Sequence, residues 1–424
     1  MWCKITIVKK KRRHVRRKFK YLFMAILIIV LAIFLFNFNI HFIGKTSIHE
    51  DALEYKTRSC LVFYPDSENA KDKAIDICSR ASKNAIFDYA LIPYGDYYLV
   101  SYKDGTKYYV DKNYNDLVIN NIDNDESKKI ISDYLRYSMK KSEIDIAYTY
   151  EFLNDTYYEN LDLSNVTYKI DDENLVIHFD IYDYDVSIPL KYMQSVLDIN
   201  LGYENATYIR PHYVSKNRKM ICFTFDDGPD LSFDSSGQIV DELYKYDSSG
   251  TFFVLGNRLG TKQIEYINGA YKKGMEYGSH TQDHPHLTKL SKQEANEQIY
   301  IPYNDLYNGF GYKMKVYRPP YGEFNDTVIS AANGLTAILW NVDSLDWSYR
   351  TKYDEEETVN LIYEKVISDA NENDIVLFHD IYKTSADAVC RLIEYYIKNG
   401  YQIVNASELM ETLNISNVSY FYGS

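Results

Sequence analysis

Cysteine is scarce: Cys3, Cys60, Cys78, Cys222 and Cys390 are the five in 424 residues, and no C-x-x-C occurs among them. That excludes a metal-finger or dithiol redox framework. Cys222 and Cys390 lie in apolar contexts that read as core. Cys60 and Cys78 would pair only if the fold brought them close, which spacing in a sequence does not decide. Basic residues are also short, 47 against 60 acids for a net charge of -13. Ten of the 47 fall in the first twenty residues, which hold no acid, so the other 404 carry about -23 (-13 less 10). Such a body argues against nucleic-acid binding, which needs cations facing phosphate.

Long apolar runs are missing except for one, Tyr21 to Ile40, which carries no charge. About 20 apolar residues is what a helix needs to cross a bilayer. The basic block ahead of it predicts a cytoplasmic tail over 1–20, a transmembrane anchor over 21–43, and everything later outside the membrane. No A-x-A-like site follows to mark a cleaved signal.

Residues 44–210 have few Gly or Pro and many Tyr, Asp and Asn. Helical spacing is expected over Ala70–Asn84, Lys128–Ser142 and Leu190–Leu197, a hairpin of Tyr97–Tyr102 with Lys107–Val110 about Asp104-Gly105, and strands at Val166–Ile170, Leu175–Tyr182 and Val186–Pro189. This is an α+β domain without a chemistry-bearing motif. From 211 to 424 the pattern changes. Short apolar runs at Ile221–Phe225, Thr251–Leu255, Met275–Tyr277, Lys315–Tyr317, Leu335–Leu339, Ile375–Phe378 and Gln402–Ile403 alternate with amphipathic stretches. Such alternation predicts an α/β fold with a parallel sheet, closed or nearly closed as a barrel, and chemistry on the loops that follow the strands.

Those loops hold the polar motifs. Asp226-Asp227-Gly228-Pro229 ends the first strand; adjacent strand residues face opposite ways, so both carboxylates share a pocket only if the turn splays them. His280 and His284 are spaced i, i+4, which suits two metal ligands, and a carboxylate from the Asp pair would complete three protein ligands with an open position. His286, two residues on, is the competing ligand and points elsewhere. Arg318 in Arg-Pro-Pro-Tyr-Gly can hold a carboxylate bidentately. Asp343 and Asp346 precede Trp347. His379 and Asp380 end a buried strand, where an imidazole is poised to exchange a proton near neutral pH.

Taken in order, T-F-D-D-G-P, H-T-x-x-H, R-x-P-Y-G, D-x-x-D-W and L-x-H-D resemble the polysaccharide deacetylases of carbohydrate esterase family 4, the NodB-homology domain, over about residues 215–413. The resemblance implies a distorted (β/α)7-type barrel that removes N-acetyl groups from GlcNAc-type sugars with a divalent metal, usually Zn2+ and otherwise Co2+, Ni2+ or Mn2+. It implies Asp227, His280 and His284 as metal ligands, Asp226 as general base held by Arg318, and the Tyr321 backbone N–H at the oxyanion. His379 would protonate the leaving amine, oriented by Asp346. Trp347, Leu377 and Pro320 would wall the substrate pocket, with Asp343 behind. Residues 44–210 resemble the small accessory domains ahead of some cell-wall deacetylases.

The expected function is peptidoglycan N-deacetylation by a single-pass membrane protein with its catalytic domain extracellular. The same motifs suit chitin oligomers, an exopolysaccharide or O-acetylated xylan. A wall-binding protein with a vestigial site and a cyclic-amide hydrolase are further readings, which the intact Asp226, His280 and His379 disfavour. The expected partners are glycan strands and the membrane, with no nucleic acid.

Overall fold

In the computed structural model, the described residues are 122–155, 161–163, 166–171, 174–197, 199 and 206–423, with shorter segments between 53 and 111. The expected tail and anchor, and Cys3, Cys60 and Cys78, lie outside them. Among the described residues no helix is long and apolar enough to cross a membrane. The chain divides into two compact units, one of 1–121, 167–177 and 189–206, the other of 122–166, 178–188 and 207–424.

In the first unit, strands β1 (Leu53–Lys56) and β2 (Leu61–Tyr64) pair antiparallel. Strands β3 (Tyr89–Tyr94), β4 (Tyr97–Tyr102) and β5 (Lys107–Asp111) form an antiparallel meander. The two strands expected to flank Asp104-Gly105 pair antiparallel, while the turn itself, 103–106, lies outside the described residues; β3 was not expected. The helix expected over 70–84 is described only at residues 71–73 and 75. Strands β6 (Val166–Asp171), β7 (Asn174–Phe179) and β8 (Tyr184–Pro189) fall near where alternation places them, with β7 crossing from the first unit to the second at residue 178 and β8 lying in the second through residue 188. The helix expected over 190–197 is a single turn, Leu190–Met193.

The second unit holds an all-parallel sheet. Its strands are β9 (Met220–Asp226), β10 (Thr251–Val254), β11 (Glu276–Ser279), β12 (Val316–Tyr317), β13 (Thr336–Ile338), β14 (Val342–Asp343), β15 (Ile375–His379), β16 (Gln402–Val404) and β17 (Tyr420–Phe421). The order is β14-β15-β9-β10-β11-β12-β13-β17, and β16 pairs with the start of β9. The sheet curls as a half-barrel, and among the described residues β14 and β17 end the pairing path. Strands β14 and β17, of two residues each, are too short for periodicity to reveal.

Alternation decides what the strands present. Met220 and Cys222 of β9 pack inside with Phe253, Val316, Ile338 and Ile375. Phe223 and Phe225, of the other parity, enter an outer aromatic layer: Phe225 stacks on Phe252 at 4.6 Å and on Phe378 at 5.7 Å, and Phe252 on Tyr277 at 5.5 Å. Continuing each inward row by two-residue steps brings Asp226 on β9, Arg318 after Val316, and His379 on β15 to the C-terminal edge of the sheet.

Helix Asp125–Lys141 belongs to this unit. Asn124 caps it by accepting from the Ser127 N–H at 2.9 Å, and Ile130, Ile131, Leu135 and Met139 are buried. Its Lys140 Nζ lies 2.6 Å from Asp247 Oδ2, with both side chains almost fully buried, and Arg210 Nη1 lies 3.5 Å from the other oxygen. Asp133 accepts from Tyr208 and Tyr244 hydroxyls at 3.0 Å, and burial pushes its carboxyl up to about 6. Asp247→Ala leaves buried Lys140 without its carboxylate and Arg210 with Asp133 alone, and a loss of about 3–5 kcal/mol in urea unfolding is expected. A loss under about 1 kcal/mol, the worth of an exposed pair, would refute that role.

Candidate active site

The polar cluster sits at the C-terminal edge of the half-barrel. Neighbouring strands place His379 beside Asp226 in register, and Asp226 beside Phe253 on β10. Asp226 Oδ1 accepts from Arg318 Nη1 at 3.0 Å. Arg318 is wholly buried; its Nε and Nη2 donate to the carbonyls of Ile338 and Leu339 at 2.9 and 3.1 Å, and its guanidinium lies 4.4 Å over the Phe253 ring. Every direction of that side chain is therefore fixed, and so is the carboxylate it holds.

Backbone conformation splays the Asp pair. Asp227 adopts φ 71°, so its side chain turns back toward the interior row instead of following β9 outward. Gly228 follows because a Cβ there would lie 2.3 Å from the Asp380 carboxylate. Thr281 (φ 72°), His284 (φ 59°), Tyr321 (φ 61°) and Leu345 (φ 58°) are also left-handed without being glycine. Such positions cost of order 1–3 kcal/mol each and persist where surrounding structure over-determines them. All five stand on loops of the catalytic edge.

Asp227 Oδ1 and the ring nitrogens of His280 and His284 lie within 4.8 Å of one another. The i, i+4 spacing works through a turn, with no helix between them; the two rings meet edge to face, 4.9 Å between centroids. His280 Nδ1–H donates to the Arg318 carbonyl at 2.9 Å, which leaves Nε2 as a lone-pair donor 3.7 Å from Asp227 Oδ1 and 3.6 Å from Asp226 Oδ2. Burial, then His280, lowers the His284 pKa and favours its neutral, ligating form. Asp227 Oδ1 is buried without a hydrogen-bond partner. A buried anionic oxygen left unpaired between two imidazoles fits a divalent cation.

On the other side of Asp226, His379 Nδ1–H donates to Asp346 Oδ1 at 2.8 Å, and its backbone N–H to Oδ2 at 2.7 Å. Asp346 also accepts from Ser385 Oγ and from the Trp347 N–H, both at 2.7 Å. Burial pulls the imidazole down, but the Asp346 carboxylate outweighs it and raises His379 to about 9. Ser385 gave no signal in sequence, since it lies in a helix that begins after the motif.

Of the other expected residues, Tyr321 is 55 % exposed and its ring meets His284 at 4.7 Å. Leu377, inward on β15 one step below His379, is buried, as is Pro320, which opens the turn before Tyr321. Trp347 is 49 % exposed. Asp343 lies behind, accepting from the Leu345 N–H at 2.8 Å and shaping the turn into Asp346. His286 stands off the cluster, its Nδ1 3.0 Å from Glu323. Asp380 accepts from Ser236 Oγ at 2.5 Å, and burial pushes its carboxyl up to about 7.

Residues 213–338 match the family model for polysaccharide deacetylase. A peptidoglycan-N-acetylglucosamine deacetylase of Bacillus cereus is 30% identical over 204 residues, covering 46% of this chain and 91% of that protein. The chain belongs to the polysaccharide deacetylase family. A peptidoglycan-N-acetylmuramic acid deacetylase of Bacillus subtilis is 39% identical over 198 residues, 47% of this chain and 40% of that protein. A peptidoglycan-N-acetylglucosamine deacetylase of Listeria monocytogenes is 35% identical over 195 residues, again 40% of its length. The match thus spans about two fifths of these two longer relatives. Among solved structures, the Bacillus subtilis peptidoglycan deacetylase is similar at 37% identity, covering 47% of this chain and 94% of that one with a TM-score of 0.42.

Proposed function

We propose that this chain hydrolyses N-acetyl groups on GlcNAc-type sugars of peptidoglycan and releases acetate. The observation that carries the reading is the orphaned Asp227 oxygen between His280 and His284, set between an Arg-held carboxylate and an Asp-held imidazole. Those three residues would hold a divalent cation, zinc by family resemblance, which when bound supplies a polarised carbonyl and a water of lowered pKa.

The protein groups divide the remaining work. Asp226 spends Oδ1 on Arg318, and its Oδ2 takes the proton of the attacking water. By holding Oδ1, Arg318 fixes the carboxylate plane with Oδ2 facing His280. The Tyr321 N–H meets the developing oxyanion, a task suited to a backbone dipole already held in place. His379, charged at neutral pH, gives its Nε2 proton to the departing nitrogen, because an amide nitrogen leaves poorly as an anion. Leu377, Pro320 and Trp347 exclude water around the acetyl methyl group.

The substrate assignment draws on relatives whose names specify peptidoglycan. The uncharged run 21–40 behind a basic tail supports a single-pass anchor that leaves the catalytic residues outside the cell, facing the wall. Acetate release by the purified full chain from peptidoglycan and from chitin oligomers, with and without zinc, tests the reading. Metal-dependent release from peptidoglycan is expected. Release from chitin oligomers alone would move the substrate, and none from either by zinc-loaded protein would sink the activity.

A further inference from the structure

Two of the segments at the site meet each other: 280–288, which supplies His280 and His284, and 318–323, which supplies Arg318 and Tyr321. They are joined by a contact that the roles above leave unused. The His286 ring stacks on the Tyr321 ring, centroids 4.3 Å apart and planes 21° from parallel. Its Nδ1 lies 3.0 Å from Glu323 Oε2, which also accepts from Thr288 Oγ at 3.3 Å. Residue by residue, 286 and 288 from one loop therefore grip 321 and 323 from the other.

Tyr321 needs such a grip. It sits at φ 61°, ψ 8°, a conformation that costs an L-residue about 1–2 kcal/mol, and Gly322 beside it is also left-handed at φ 70°. Its side chain is more than half exposed, so the core does not hold it. What touches the ring is His284 edge-on at 4.7 Å and His286 face-on. The turn is closed by the Gly322 N–H to the Pro319 carbonyl at 3.0 Å and the Glu323 N–H to the Pro320 carbonyl at 3.2 Å; holding the Tyr321 ring and the Glu323 carboxylate together restrains this turn, and with it the peptide that carries the Tyr321 N–H.

We propose that His286, anchored by Glu323, is a positioning residue that braces the Tyr321 turn against the metal-ligand loop and so aims the Tyr321 N–H at the reacting carbonyl. The inference rests on the deacetylase reading for its chemistry, while the brace itself is a property of the two loops. Misplacing a catalytic dipole affects the transition state more than ground-state binding.

In the full chain, His286→Ala is expected to lower kcat about tenfold while KM moves less than about twofold. Zinc stoichiometry stays as in the unsubstituted protein, and amide hydrogen exchange in a peptide covering 318–325 accelerates. His286→Phe, which keeps the stacked ring and loses the Glu323 bond, recovers most of kcat and of the protection; Glu323→Gln falls between. Unchanged kcat and exchange in His286→Ala would overturn the brace, as would loss of zinc, because His286 would then act through the metal loop. If the unsubstituted chain releases no acetate, the deacetylase reading fails by itself. Exchange then decides the brace: loosening in His286→Ala with rescue by Phe upholds it, and no loosening removes it.

Discussion

Asp226→Asn is expected to reduce kcat for acetate release by about 10²–10⁴-fold, the range spanned by general acid–base catalysis. The substitution preserves shape. Asn Oδ1 still accepts from Arg318 Nη1, and the other two Arg318 bonds run to the Ile338 and Leu339 carbonyls, so the buried guanidinium keeps its seat. What disappears is the basic oxygen facing His280, 3.6 Å away. Bound zinc is expected at the original stoichiometry, since the clustered ligand atoms belong to Asp227, His280 and His284. Acetate assays beside metal analysis check both. A variant with more than a tenth of the original kcat would remove Asp226 as the base. Lost zinc would make it a ligand.

The second large effect is on pH dependence. Asp346→Asn removes the carboxylate that raises His379 to about 9 against burial. The imidazole then falls toward or below its ordinary 6.5. At pH ~8 the general acid passes from mostly protonated to mostly neutral, which predicts an activity loss of about 10- to 100-fold. The alkaline limb of kcat/KM should move to lower pH, with activity recovering on acidification; a limb that stays in place would detach Asp346 from the acid. Stability carries the same sign. The folded-state pKa lies above the unfolded value, so this group's contribution is complete below about 6.5 and is lost as pH rises through about 9. The variant loses that contribution, and urea unfolding at pH ~6 and ~10 should differ less for it than for the original chain.

How much of this was legible beforehand depended on the type of signal. Alternation located seven of the nine parallel strands within a few residues, all but the two-residue β14 and β17. Helix Lys292–Phe310 carries Pro302 inside it, and Gly311, at φ 78°, is what stops it. Helix Asp125–Lys141 was expected within the N-terminal α+β region, yet it packs in the compact unit of residues 207–424. Nothing in its periodicity names its partner. Its charged Asp133, Arg136 and Lys140 are buried, which only the fold reveals.

The sequence by itself determined the residue types of the site and their order, because the chemistry demands particular groups at strand ends: two carboxylates, two histidines, an arginine and a final histidine. It also determined the parity that sends Asp226, Arg318 and His379 inward, since a strand has a period of two. The tertiary structure alone decided how they act. The left-handed turns at Asp227, His284 and Tyr321 bring groups together that straight strands would separate. The partners of Asp346, including Ser385, and the His286–Tyr321–Glu323 brace join residues distant in the chain. Local sequence encodes local conformation; which loops meet, and so which side chain sets another's charge or direction, follows from packing of the whole half-barrel.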